Sequence, residues 1–68
     1  MKYYVSDLNT IYRVNEKGKI EVYNITQKRF VPSIYVFIDT EWTEITEKEM
    51  NEMIRIKITE KERPDLRD

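Results

Sequence analysis

The only glycine in the chain, Gly18, closes the tetrapeptide Asn15-Glu16-Lys17-Gly18, and this is the strongest local constraint on the fold. Asparagine at the first position and glycine at the fourth make a type I turn ending in a left-handed residue, the arrangement that joins two antiparallel strands. If Asn15 and Lys19 close the turn, the pairing on either side is fixed: Val14 opposite Ile20, Arg13 opposite Glu21, Tyr12 opposite Val22 and Ile11 opposite Tyr23. Apolar pairs alternate with an opposite-charge pair and an aromatic/β-branched pair, so turn and strand pattern agree. This register predicts that Tyr12, Val14, Ile20 and Val22 face the core. Ile11, Tyr23 and either Tyr3 or Tyr4 would then share an outer sheet face.

Around this hairpin, Lys2 to Ser6 reads as a short strand returned by an Asp7-Leu8-Asn9 turn, which makes a three-strand meander. Asn24 to Lys28 is turn material. The Asn24-Ile25-Thr26 triplet matches a glycosylation pattern but is read as part of that turn. Arg29-Phe30-Val31 is an edge strand halted by Pro32. Ile34 to Ile38 is an unbroken apolar run, read as a strand buried on both faces, with a short helix starting at Ser33 as the competing reading.

Thr46-Glu47-Lys48-Glu49 is a capping box, with Ile45 and Met50 as the hydrophobic staple across it, so a helix is expected to begin at Glu47. Its buried stripe would be Met50, Met53, Ile54 and Ile58. Ile54 to Thr59 also alternates with period two, which leaves a terminal strand as an alternative to helix. The expected class is therefore α+β: an antiparallel β-meander of three to five strands with a C-terminal helix on one face. Residues 1–60 would form a single domain, and 61–68 a charged, frayed tail.

A chain of 68 residues without cysteine has no disulfides or thiolate metal sites to supplement a small core, which makes association with a second copy a natural source of stability. The absence of histidine removes the usual neutral-pH acid/base. Six acids lie between Asp39 and Glu52, but without the glycine and ligand alternation of a calcium loop or a cleft for a carboxylate pair. The chain is accordingly read as non-enzymatic, with no metal and no cofactor. No apolar run approaches the ~20 residues of a membrane span or a leader's core, so a cytoplasmic protein without membrane contact is expected.

Trp42, set among Asp39, Glu41 and Glu44, closes the end of the core or offers a contact; Tyr4, Ile11, Tyr23, Tyr35 and Phe37 complete the candidate protein-binding set. Acidic surroundings favour a basic partner surface. The alternative function is single-stranded nucleic-acid binding through Lys19, Tyr23, Lys28 and Arg29, a basic/aromatic set on the sheet. The near-neutral net charge of -1 weighs against it.

The order of a short aromatic strand, Tyr12-Arg13-Val14, the Asn15 to Gly18 turn, Glu21-Val22-Tyr23-Asn24, Val31-Pro32-Ser33 and Glu44 to Glu49 resembles small phage- and prophage-encoded proteins of Gram-positive bacteria. What the resemblance implies is a modulator that binds a host protein. A self-associating, homodimeric protein-binding module is the leading expectation.

Overall fold

The structure, a computed structural model, describes residues 1–61. Five strands and one helix follow in order: β1 (Lys2–Val5), β2 (Ile11–Val14), β3 (Ile20–Asn24), β4 (Arg29–Pro32), β5 (Thr43–Ile45) and α1 (Glu47–Lys61). The strands form one antiparallel sheet in the order β4-β3-β2-β1-β5. The first four strands are a meander, and β5 returns from the β4 edge to pair with β1 at the opposite edge. The α+β class is as expected. The expected tail lies almost wholly outside the described residues.

Two of the three meander turns are built alike. At the first, Ser6 N–H donates to the Thr10 carbonyl (2.9 Å), and Ser6 Oγ accepts Leu8 and Thr10 N–H at 3.2 and 3.1 Å. At the second, Asn15 N–H donates to the Lys19 carbonyl (2.9 Å), and Asn15 Oδ1 accepts Lys17 and Lys19 N–H at 2.9 and 3.0 Å. Each turn ends in a left-handed residue, Asn9 with φ 63° and Gly18 with φ 79°. In the third turn Asn24 Oδ1 accepts Gln27 N–H at 2.9 Å and the left-handed position falls at Lys28, φ 56°. Ser6, Asn15 and Asn24 thus open successive turns at a spacing of nine residues.

A Cβ added at Gly18 meets nothing within 4 Å, so the cost of a side chain there is conformational alone. Gly18→Ala is expected to lose about 1 kcal/mol in urea denaturation, while Asn9→Gly changes stability by less than about 0.5 kcal/mol. An unaffected Gly18→Ala would remove the left-handed closure from the hairpin.

The β2/β3 register is the expected one: Tyr12 faces Val22, Arg13 faces Glu21 and Val14 faces Ile20. The faces, however, are assigned differently. The helix lies on the side carrying Tyr3, Ile11, Tyr23, Phe30 and Ile45, where Tyr3, Ile11 and Met50 form the buried centre and Met53 and Ile54 pack around it. Tyr12 and Ile20 are also buried, but on the other face. Tyr3 shares the Ile11/Tyr23 face, and Tyr4 does not. The register determines which residues are opposite one another. It leaves open which side of an apolar-on-both-faces ribbon receives the helix.

Helix α1 starts where the capping box predicts. Thr46 N–H donates to Glu49 Oε1 (2.8 Å), and Glu49 N–H donates to Thr46 Oγ1 (3.1 Å). Ile45 and Met50 both join the core cluster, so the staple sets the angle at which the helix crosses the sheet. Ile54 to Thr59 is helical, which decides between the two readings of that stretch. The apolar alternation there does not mark a strand: on the helix Ile56 is 44% exposed, while Ile54 and Ile58 are half-buried.

Ile34 to Ile38 is neither strand nor helix: it lies in an irregular loop between β4 and β5. A double-sided strand needs cover on both faces and partners on its edges. Here Pro32 supplies no N–H for further pairing, Ser33 N–H makes the last rung with the Ile20 carbonyl (3.1 Å), and the chain leaves the sheet.

A candidate protein-contact loop

Two side-chain-closed turns shape the segment from Ser33 to Trp42. Ser33 Oγ accepts Tyr35 N–H (3.0 Å), and Asp39 Oδ1 accepts Glu41 N–H (2.8 Å) while Trp42 N–H donates to the Asp39 carbonyl (3.0 Å). Between them the loop crosses the sheet face that the helix leaves open. Its anchors are aromatic. Trp42 stacks on Tyr12 with ring centroids 4.0 Å apart and planes 7° from parallel, and Tyr35 stands edge-on to both, 5.7 Å from Tyr12 and 5.4 Å from Trp42. Tyr4 borders the stack at 6.5 Å from Trp42. Such ring geometry contributes about 0.5–1.5 kcal/mol per pair beyond area burial.

Tyr35 packs on the sheet through one edge and stays 46% exposed, Ile38 is half-buried, and the other three apolar side chains of the loop face water. Ile34 is 92% exposed, Val36 77% and Phe37 81%. Each of these groups would gain roughly 1.5–3 kcal/mol on full burial. Three large apolar side chains within four residues, held out by an ordered aromatic base, form an unpartnered surface rather than scattered exposed residues.

Burial pushes the Tyr12 phenol above its ordinary value, and the adjacent Tyr35 hydroxyl adds to the rise. A raised value in the folded state means that this stability is fully present below about pH 10 and is lost as pH climbs through the folded value. Tyr12→Phe is therefore expected to flatten the decline of stability above about pH 10 in denaturant titrations. Identical slopes for the two proteins would show that the Tyr12 hydroxyl is not buried by the loop.

On the helix face, Arg13 Nε is 2.6 Å from Glu21 Oε1, Asn15 Nδ2 donates to Glu21 Oε2 at 3.2 Å, and the Arg13 guanidinium carbon lies 4.2 Å from the Phe30 ring centroid. The hydrogen bond from Arg13 is the main reason the Glu21 carboxyl sits below its usual range. Both charges of this expected pair are thus satisfied internally.

The candidate contact residues separate into three groups. Tyr35 and Phe37 are on the loop, Phe37 as a free side chain and Tyr35 as an anchor. Trp42 and Tyr4 belong to the stack beneath it. Ile11, 1% exposed, cannot touch a partner, and Tyr23 packs against the core, edge-on to Phe30 at 5.2 Å; both are corrections that follow from the helix covering their face. Ile34 and Val36 are not in that candidate set, which names only Tyr35 and Phe37 from this run. The signal against a strand there is Pro32-Ser33 at one end and Asp39-Thr40-Glu41 at the other, turn chemistry that leaves little room for it.

The proposed nucleic-acid set is not brought together. Lys19 lies at the tip of the β2–β3 hairpin, just before β3, whereas Lys28 lies in the β3–β4 turn and Arg29 pairs with Asn24 at the opposite end of that strand. Arg29 is on the opposite face from Tyr23, and its Nε donates to Gln27 Oε1 at 3.0 Å. The acids are dispersed too: Glu49 caps the helix, Glu44 lies 3.9 Å from Lys2 and Glu52 pairs with Arg55. Among the described residues no group of carboxylates is placed to hold a metal ion, and no helix is long and apolar enough to cross a membrane. No family model, curated protein or solved structure matches the chain.

Proposed function

We propose that this chain is a non-enzymatic protein-binding module whose contact surface is the Ile34–Phe37 loop. The observation that carries the reading is the exposure of Ile34, Val36 and Phe37 on a loop whose base is locked by the Tyr12–Trp42 stack. A locked base matters because a contact loop that is already ordered loses less entropy on binding. Asp39 and Glu41, both exposed at the C-terminal end of the loop, favour a partner with basic groups beside an apolar depression. A phage-type modulator of a host protein, as the resemblance implies, is one form such a module takes.

The test is photo-crosslinking with benzoylphenylalanine placed at position 37 and, as a control of equal exposure, at position 8, where Leu8 is 82% exposed. Covalent adducts are expected from position 37 and not from position 8, and their mass identifies the partner. Equal yields from both positions, or none from position 37, would sink the reading.

A further inference from the structure

Beside the loop runs a groove of about 570 Å³, between the tip of the β2–β3 hairpin and the segment from Pro32 to Val36. Ile20, Pro32, Tyr35 and Val36 give it an apolar lining, and Lys17 and Lys19 stand on its rim. Glu21 also lines it, but that carboxylate is held by Arg13 at 2.6 Å and leaves the lysines as the uncompensated charge. The chemistry that fits is an apolar wedge followed by acids. This chain carries such a wedge: Ile34, Val36 and Phe37, then Asp39 and Glu41.

Resting on the reading of the loop as a contact surface, we infer that its occupant is a second copy of this chain, each copy inserting its apolar crest into the other's groove. Asp39 and Glu41 of one copy then meet Lys17 and Lys19 of the other. Among the described residues none of these four side chains is in a salt bridge, so the charges of both surfaces are available. Val36 belongs to both wedge and groove, and adjoining complementary surfaces are what a two-fold axis can pair in a single step. Sheet extension is the weaker route to a dimer. On the β4 edge, the rung from Ser33 N–H to the Ile20 carbonyl fixes the alternation that points the backbone groups of Phe30 and Pro32 away from β3, and Pro32 has no N–H to donate. Acids beside the crest also oppose docking on an anionic membrane surface.

Sedimentation velocity on the full chain, at concentrations up to about 1 mM to include weak contacts, tests the inference. Wild type is expected to dimerise. Lys17→Glu/Lys19→Glu and Asp39→Asn/Glu41→Lys, all at exposed positions, are each expected to weaken dimerisation by at least about tenfold with unchanged circular dichroism. Asp39→Asn keeps the side-chain oxygen that accepts the Glu41 N–H. An equimolar mixture of the two variants restores the dimer, because each then offers the charge that the other's groove or loop requires. A wild type that stays monomeric, variants that dimerise like wild type, or a mixture without rescue each overturns it. A monomer that still crosslinks from position 37 to another protein overturns the second copy alone and leaves the contact surface standing, whereas no crosslinking at all overturns both.

Discussion

Ile11→Ala is expected to lower the unfolding free energy by about 3 kcal/mol, inside the range for an aliphatic residue truncated in a packed core. Ile11 is the one large side chain among the described residues with less than 2% of its surface exposed, and it sits between Tyr3 and Met50 where the helix meets the sheet. A domain this small has a total stability near the low end of about 5–15 kcal/mol, so the loss moves the urea midpoint far toward zero. Val14→Ala is the matching control: Val14 is half-buried on the opposite face, and about 1 kcal/mol or less is expected there. The two variants together decide which face carries the helix. Equal losses, or a tolerated Ile11→Ala, would place α1 on the wrong side of the sheet.

That comparison also marks the boundary of what the chain discloses before it is folded. Elements whose cause is local were legible: the hairpin at Gly18, the capping box at Thr46 and the edge strand stopped at Pro32 all rest on groups a few residues apart. The choice of face rests on α1, which contacts the sheet from some forty residues beyond β1. Tyr12 and Ile11 are adjacent and both apolar, so alternation alone gives two equivalent solutions differing by half a pleat. Strand β5 was hidden for a related reason. Thr43-Glu44-Ile45 carries acidic, turn-like neighbours, and only the free edge of β1 makes it a strand.

The contact loop shows the same division. Its residues stand out as an apolar run, and the expectation that such a run is buried points to a strand. The structure keeps the apolar character and removes the strand: Ile34 and Phe37 are exposed on an irregular loop. Stacking of Trp42 on Tyr12 across thirty residues of chain has no local signature, so the sequence allows Trp42 as a core plug or a contact and does not disclose its role as the brace.

Trp42→Ala is expected to cost about 2 kcal/mol: buried Trp→Ala changes cost about 3–5 kcal/mol, and Trp42 is only half-buried. The loss combines ring area with the stack on Tyr12 and the edge contact with Tyr35. Without the indole, the Tyr12 ring is uncovered, and its phenolate absorbance should titrate closer to the ordinary value near 10. Burial is the largest cause of its present rise, so these two effects are linked. Trp42→Phe retains a ring able to stack and should recover more than half of both. Contact through the loop should weaken more than stability in native buffer suggests, since Ile34 and Phe37 are presented by a base that Trp42 holds in place. Crosslinking from position 37 that is undiminished in Trp42→Ala, with Tyr12 titrating as in wild type, would mean that the loop keeps its shape without the stack, and the pre-ordered contact surface would lose its physical basis.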